Sequence, residues 1–156
     1  MNTDVMFSSK TDEWATPTDF YNELNKEFKF DLDPCANEHN HKCEKYFTIE
    51  DNGLLQSWAG YNVFCNPPYG RETGKWVEKA YKTNKKYGNV IVMLVPARTD
   101  TKWFHEYIYH KAEVRFIRGR LKFSGAKFNA PFPCMVVIYG KKEGADNGKS
   151  KGEEKE

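Results

Sequence analysis

The sequence predicts an α/β fold in which helices pack on a mostly parallel sheet that ends in a C-terminal antiparallel hairpin. Strand-like and helix-like segments alternate along the chain, as expected when helices cover the faces of a sheet. Residues 90–95 form a continuous apolar run of strand length, which is typical of a strand covered on both faces. In a fold of this class, ligands bind beyond the carboxyl ends of the strands.

The chain of 156 residues is long enough for one domain with a sizeable core but not for two. We predict that this domain spans residues 12–140 and that a flexible lead-in covers residues 1–11. Residues 141–156 consist mostly of Lys, Glu and Gly. They are predicted to form a disordered charged tail, because so few apolar side chains cannot offset the entropy lost on folding.

The first half of the domain is predicted to contain one helix and one short strand before a long irregular segment. The helix covers about residues 17–27, with Thr16 as its N-cap and Pro17 at its first position. Residues 30–33 alternate between apolar and acidic side chains and stop at a proline, which indicates a short strand. Residues 34–61 show little regular hydrophobic pattern. An irregular segment of that length within a compact domain is usually functional or wrongly assigned as a loop.

The second half is predicted to supply the remaining strands, at residues 63–65, 90–95, 114–117 and 135–139. A helix over residues 72–87 separates the first two of them, and its outer face carries a stripe of lysines. Another helix is predicted after Asp100, which can cap it. The last two strands are predicted to pair as the closing hairpin.

Asn66-Pro67-Pro68-Tyr69, directly after the strand at residues 63–65, is the most informative motif of the chain. Two consecutive prolines fix φ and donate no hydrogen bonds, so the tetrapeptide forms a stiff platform. The asparagine oxygen and a proline carbonyl can accept both hydrogens of a planar exocyclic NH2 group, while the tyrosine stacks on the ring that bears it. This arrangement suits N-methylation of an amide or a nucleobase. The alternative is a proline-stopped turn in which the tyrosine serves packing alone.

Charge is distributed unevenly, although the formal net charge is only +2. Residues 1–70 carry five Lys or Arg against twelve Asp or Glu, whereas residues 71–127 carry fourteen against five. The remaining residues carry five of each. The basic middle segment is consistent with an anionic partner on one side of the molecule, and equally with a solvated lysine-rich surface.

No stretch reaches the roughly 18 apolar residues that span a bilayer, and residues 1–30 lack the layout of a signal peptide. We therefore predict a cytoplasmic protein that contacts no membrane, and its four cysteines are expected to be reduced.

Cys35, His39, His41 and Cys43 are metal-binding residue types. Their spacing is not a usual zinc arrangement, so no metal is predicted.

Four segments taken together resemble the phage-type DNA adenine N6-methyltransferase family. They are Trp14-Ala15-Thr16-Pro17, Asp31-Leu32-Asp33-Pro34-Cys35-Ala36, Asn66-Pro67-Pro68-Tyr69-Gly70 and Arg118-Gly119-Arg120-Leu121-Lys122-Phe123. The resemblance covers about residues 12–140. It implies a Rossmann-like methyltransferase fold, S-adenosylmethionine as the methyl donor, and the exocyclic N6 of adenine in DNA as the acceptor.

The resemblance also implies roles for individual residues. Thr16, Pro17 and Asp33 would line the methionine part of the donor, and Asp51 would contact its adenosine. The platform at residues 66–69 would hold the adenine amine in a more nucleophilic geometry, and transfer would need neither a general base nor a metal. The glycine-rich turn of many methyltransferases is missing after Asp33. A donor without phosphate groups does not need such a turn.

The resemblance to enzymes that act on duplex DNA implies that the target base leaves the stack to reach the platform. Aromatic faces at Tyr69 and Phe123 can replace the lost stacking. Arg98 and Arg120 are predicted to bind phosphates near the mouth of the pocket. Loops, or the second subunit of a homodimer, would read the DNA sequence. As a phage or prophage protein, the enzyme would act in the cytoplasm of a bacterial host.

Two other functions are compatible with the sequence. The same tetrapeptide occurs in methyltransferases that act on a glutamine side-chain amide or on RNA bases, because those substrates also present a planar NH2 group. The other is a catalytically inactive DNA-binding module, which would be expected to have lost the platform or the donor site.

Overall fold

The structure is a computed structural model that describes residues 15–124 and 126–142, in which four strands form one sheet. The strands are β1 (Val63–Cys65), β2 (Ile91–Pro96), β3 (Glu113–Phe116) and β4 (Cys134–Tyr139). The helices are α1 (Thr18–Phe28), α2 (Thr73–Tyr87) and α3 (Lys102–Tyr107), and a short 3-10 turn covers Gly53–Leu55. The predicted lead-in at residues 1–11 and most of the predicted tail, residues 143–156, lie outside the described residues.

The sheet is mixed, and its spatial order is β1-β2-β4-β3. β1 runs parallel to β2, whereas β4 is antiparallel to both β2 and β3, which confirms the closing antiparallel pair. The prediction of a mostly parallel sheet is not confirmed, because β4 lies between β2 and β3 and adds two antiparallel interfaces. Next to β1, the predicted strand at residues 30–33 is reduced to isolated parallel bridges, from Leu32 to Val63 and from Asp33 to Tyr46.

The central position of β2 follows from its apolar sequence, since every residue of the strand is buried. Successive side chains of a strand point to opposite faces of the sheet. Ile91 packs in a core cluster that contains Trp76 of α2, and Val92 packs in a second cluster that contains Leu24 of α1. The two longest helices therefore cover opposite faces of the sheet, as an α/β fold requires.

Two predicted helix caps are wrong by one residue each. Pro17 is the N-cap of α1 and no side chain caps that end, because the Thr16 hydroxyl instead accepts a hydrogen bond from Asn66. The cap of α3 is Thr101 rather than Asp100, and its hydroxyl accepts a backbone N–H of the first turn. At α3, Asp100 and Thr101 are adjacent polar residues, and it is the Thr101 hydroxyl that lies 3.2 Å from the backbone nitrogen of Phe104.

The helices within the described part of the chain are all too short or too polar to cross a membrane. Across residues 15–124 and 126–142, no group of three or more His, Cys, Asp or Glu side chains is arranged to hold a metal ion. Two of the residues considered as metal ligands have other contacts. His41 stacks on Tyr46 with ring centroids 3.9 Å apart, and the Cys43 thiol lies 3.5 Å from the Tyr21 hydroxyl.

Candidate active site

The platform of residues 66–69 follows β1 at the carboxyl end of the parallel strand pair. Because β1 pairs with β2 in parallel register, the platform lies beside the end of β2. The Tyr69 hydroxyl lies 2.7 Å from Oδ1 of Asn66 and 3.0 Å from the carbonyl oxygen of Leu94. Both atoms are acceptors, so the single hydroxyl hydrogen is shared between them. The tyrosine thus ties the platform to the central strand.

The side-chain amide of Asn66 is held at both of its polar atoms. Its nitrogen donates a hydrogen bond to Oγ1 of Thr16 at 3.0 Å, and its oxygen accepts the hydroxyl of Tyr69. Thr16 is buried, and it lies 50 positions before the asparagine in sequence. These two contacts restrict rotation of the amide, so the asparagine enters any reaction already oriented.

Thr73, in the first turn of α2, locks the platform from its other end. Its hydroxyl donates to the carbonyl of Pro68 at 2.8 Å and accepts the backbone N–H of Gly70 at 2.9 Å. The side chain is only 1% exposed, so water does not compete for these bonds. The platform is therefore fixed by α2 as well as by its own prolines.

An aromatic wall of Tyr69, Phe123 and Phe132 lies next to the platform. The Tyr69 ring meets Phe123 at 6.1 Å and Phe132 at 5.5 Å between centroids, in both cases edge to face. Tyr69 and Phe123 are 5% and 1% exposed, so their faces are covered in this structure. Burial also raises the pKa of the Tyr69 hydroxyl well above its ordinary value, which keeps it protonated and able to donate.

A short contact between distant segments brings Thr16 to this wall. The backbone N–H of Ser124 donates to the carbonyl of Ala15 at 2.9 Å, which forms an isolated antiparallel bridge. Ser124 directly follows Phe123, so the bridge places the wall and the Thr16 hydroxyl side by side. The start of α1 is thereby attached to the loop between β3 and β4.

Both predicted arginines lie at the same edge of the sheet. The exposed guanidinium of Arg98 lies 5.9 Å from the centre of the Phe132 ring, just after β2 ends. Burial raises the pKa of the Cys134 thiol to about 11, and the positive charge of Arg120 opposes that shift. Arg120 is therefore near the first residue of β4, which pairs with the last residue of β2.

Asp33 is a buried carboxylate that lies near the end of β1. Its side chain is 4% exposed and accepts backbone N–H groups of Lys42, at 2.9 Å, and Cys35, at 3.4 Å. Burial raises the pKa of the carboxyl from 3.8 to about 7, although these hydrogen bonds and the charges of His41 and Lys42 oppose the rise. No described Lys or Arg forms an ion pair with Asp33 (residues 15–124 and 126–142). Burial, rather than an ionic partner, therefore dominates the pKa of Asp33.

Asp51 does not join the other predicted site residues through any contact among the described residues. Its exposed carboxylate accepts the backbone N–H and the hydroxyl of Thr48, at 2.9 and 3.1 Å, in a local turn. Pro17 begins α1, where its carbonyl accepts the backbone N–H of Tyr21 at 3.0 Å. By contrast, Thr16, Asn66, Tyr69 and Phe123 form one connected group, and Arg98 reaches it through Phe132.

Thr73 and Phe132 were not identified from the sequence. The signal for Phe132 is the flanking pair of prolines in Pro131-Phe132-Pro133, which fixes an extended backbone on both sides of the ring. The signal for Thr73 is a threonine three residues after Gly70, a spacing at which a hydroxyl binds a turn. Both signals are common in loops, so neither identifies an active site alone.

Comparison with known proteins gives a family match over nearly the whole chain. A family model described as DNA N-6-adenine-methyltransferase (Dam) matches residues 4–153. A DNA N-6-adenine-methyltransferase of Haemophilus phage HP1 (strain HP1c1) is 35% identical over 111 residues, which are 70% of this chain and 64% of that protein. Another, from Escherichia phage T1, is 36% identical over 146 residues, which are 90% of this chain and 60% of that protein. The chain thus spans less than two thirds of the length of these two relatives.

Proposed function

Because the chain belongs to the DNA N-6-adenine-methyltransferase family, we propose that it transfers a methyl group from S-adenosylmethionine to the exocyclic N6 of adenine in DNA. The observation that carries the proposal is the hydrogen-bonded group of Thr16, Asn66 and Tyr69. It presents an oriented carboxamide, which can bind an exocyclic amine, at the carboxyl end of a parallel strand pair. A Rossmann-like methyltransferase domain over residues 12–140 is part of the same proposal, and the parallel pairing of β1 with β2 supports it.

The residues at this edge of the sheet suit a positively charged donor. S-adenosylmethionine carries an ammonium group and a sulfonium group, and it supplies an electrophilic methyl carbon to the amine. We assign the ammonium to the buried carboxylate of Asp33, whose oxygens are held by backbone N–H groups rather than by a basic side chain. Thr16 and Pro17 border the donor in this proposal. Asp51 is assigned to the adenosine, because an exposed carboxylate in a turn can accept ribose hydroxyl groups.

In the proposed reaction, the role of the protein is to position and polarise the amine. The Asn66 oxygen and the Pro67 carbonyl accept the two N6 hydrogens, which draws the nitrogen lone pair out of conjugation with the ring. A carboxamide oxygen can accept two hydrogen bonds, so the Tyr69 hydroxyl and one N6 hydrogen can share it. Neither the asparagine nor the prolines can take up a proton at neutral pH, and Pro68 serves to stiffen the turn. The N6 proton is therefore lost to solvent.

In this proposal the aromatic wall receives the base after it has left the duplex. The edge-to-face contact between Tyr69 and Phe123 has to open before a base can stack on either ring. Base stacking then replaces the contact that was lost. Arg98 and Arg120 are exposed at the same edge and bind the phosphates that flank the base. That the protein forms a homodimer, in which the second subunit helps to recognise the DNA sequence, stays a prediction.

The acceptor is tested by giving the full chain labelled donor and four substrates in parallel. These are adenine-containing duplex DNA, a duplex of only dG and dC, RNA, and a glutamine-containing peptide. The nucleosides are then analysed by mass spectrometry. We expect label only in the adenine-containing duplex DNA, as N6-methyladenine. Label on RNA or peptide alone would move the function to one of those acceptors. Calorimetric donor or DNA binding without any transfer would identify an inactive binding module.

A further inference from the structure

Phe128 is an exposed aromatic side chain at the tip of the loop between β3 and β4. It is 75% exposed, although phenylalanine usually occupies the interior. One other described phenylalanine, Phe116 at the end of β3, has comparable exposure, at 67%. An isolated exposed apolar residue needs no explanation in itself. The surroundings of Phe128 are what distinguish it.

The base of this loop is firmly held while its tip projects into solvent. The backbone N–H of Ala130 donates to the carbonyl of Leu121 at 2.7 Å, and that of Ala126 donates to the carbonyl of Phe123 at 3.0 Å. Phe123 and Ala130 are 1% and 2% exposed. Residues 127–129, between these anchors, are all exposed. The aromatic ring is thus presented on a fixed support.

The same anchors place the tip beside the candidate active site. Phe123 and Phe132, on either side of Phe128 in sequence, both contact the Tyr69 ring. Phe128 and Phe132 are four positions apart in sequence, so their Cα atoms are at most about 14 Å apart even in an extended chain. The loop tip therefore lies close to the aromatic wall that borders the platform at residues 66–69.

The charge of the loop suits the surface of DNA. Residues 117–133 contain four basic side chains, those of Arg118, Arg120, Lys122 and Lys127, and no acidic one. All four are exposed. Basic side chains bind phosphates without regard to base identity, so they would hold the loop against the duplex while an apolar side chain enters it.

We propose that Phe128 is a wedge that inserts into the base stack at the position vacated by the target adenine. The inference rests on the proposed adenine methylation and adds a residue that acts on the duplex rather than on the transferred methyl group. Extruding a base costs stacking and pairing, and a phenylalanine ring in the gap restores part of the stacking. Base–aromatic stacking of the usual strength predicts that losing the ring slows methylation of paired DNA by about tenfold or more.

The test compares Phe128→Ala with wild type in single-turnover methylation of two duplexes. The methylated site is first mapped by sequencing DNA that the wild-type chain has modified. In one duplex the target adenine is paired with thymine, and in the other it faces an abasic site, where extrusion needs little help. Phe116→Ala is the matched control, since it removes a phenylalanine of comparable exposure from the end of β3.

We expect Phe128→Ala to lose about tenfold or more on the paired duplex and less than about threefold on the abasic duplex. Phe128→Trp should methylate the paired duplex at the wild-type rate. Both Phe128 variants should match wild type in donor affinity and thermal midpoint. Fluorescence of 2-aminopurine at the target position should report less extrusion in the alanine variant. Equal losses on both duplexes, or no loss on either, would overturn the wedge. A wild-type chain that methylates no adenine would instead overturn the proposed function itself.

Discussion

Replacing Asp33 by asparagine is expected to stabilise the free protein above neutral pH. The carboxyl is 4% exposed, and its burial raises the pKa from 3.8 to about 7. Between these two pH values, the folded chain holds a proton that the unfolded chain has released. The contribution of Asp33 to stability is therefore fully present below about pH 4 and is lost as the pH rises through about 7.

The magnitude follows from the difference between the two pKa values. A difference of about three corresponds to about 4 kcal/mol in the free energy of unfolding. Asparagine carries no charge, and its carbonyl oxygen can still accept one of the backbone N–H groups of Lys42 and Cys35. Losing the other hydrogen bond costs about 1 kcal/mol. The variant should therefore be more stable than wild type by about 3 kcal/mol at about pH 8.

Urea unfolding of the full chain at about pH 5 and about pH 8 measures this effect. Between these two pH values, the free energy of unfolding of the wild type should fall by most of the predicted 4 kcal/mol. This fall should exceed that of Asp33→Asn by about 3 kcal/mol. Asp19→Asn, an exposed residue of α1, is the control and should follow the wild type. Parallel pH profiles of wild type and Asp33→Asn, or a variant that is less stable than wild type at about pH 8, would contradict the expected effect of burial. The same substitution should weaken donor binding by about tenfold or more in calorimetry at pH 8, because it removes a charge-assisted contact.

Three further predictions concern the platform, the DNA contacts and the tail. Tyr69→Phe removes the hydroxyl that Asn66 and Leu94 share, so it should cost about 1–3 kcal/mol in urea unfolding and slow methylation while donor affinity is kept; an unchanged rate would show that the hydroxyl does not orient the asparagine. Arg98→Ala should raise the KM for DNA and reduce the slope of log KM against log salt by about one, and an unaltered slope would place Arg98 away from phosphate. Removing residues 143–156 should leave the thermal midpoint nearly unchanged in calorimetry, and a large drop would contradict the prediction of a disordered tail.

The elements with strong local patterns were predicted closely from the sequence. β1 was predicted at residues 63–65 and β2 at residues 90–95, and both lie within one residue of those positions. Helix α2 was predicted over residues 72–87 and spans Thr73–Tyr87. Uninterrupted apolar runs and a regular helical stripe depend on neighbours a few residues away, which is why they can be read from one chain.

The order of the strands depends on contacts between distant segments, and the sequence did not predict it. β4 is as apolar as a strand of a parallel sheet, yet it pairs antiparallel with β2 and separates it from β3. Its six residues are all buried, so both faces of the strand are covered. A strand covered on both faces has the same continuous apolar sequence whether it runs parallel or antiparallel to its neighbour. Choosing between them requires the loop between β3 and β4, whose course is fixed by buried Phe123 and Ala130 rather than by a recognisable turn.

The site was predicted as a set of residues, but the contacts that join them were not. The motif of residues 66–69 located the platform, and the resemblance added Thr16 to the candidates. The hydrogen bond between Thr16 and Asn66 spans 50 positions and displaced the cap that local spacing favoured. The elevated pKa of Asp33 arises from burial, and the backbone N–H groups that its carboxylate accepts come from Cys35 and Lys42. These two residues lie in an irregular segment in which no periodic pattern predicts burial.

In the proposed reaction, the Asn66 carboxamide binds the amine that is methylated. The direct measurement is the single-turnover rate of adenine methylation for Asn66→Ala, together with its donor affinity from calorimetry. Asn22→Ala, which removes an exposed asparagine of α1, is the control. The expected result is a rate lower by about 100-fold or more, with donor affinity within about threefold of wild type and with the control unaffected. An Asn66→Ala protein that methylates adenine at the wild-type rate would contradict the claim.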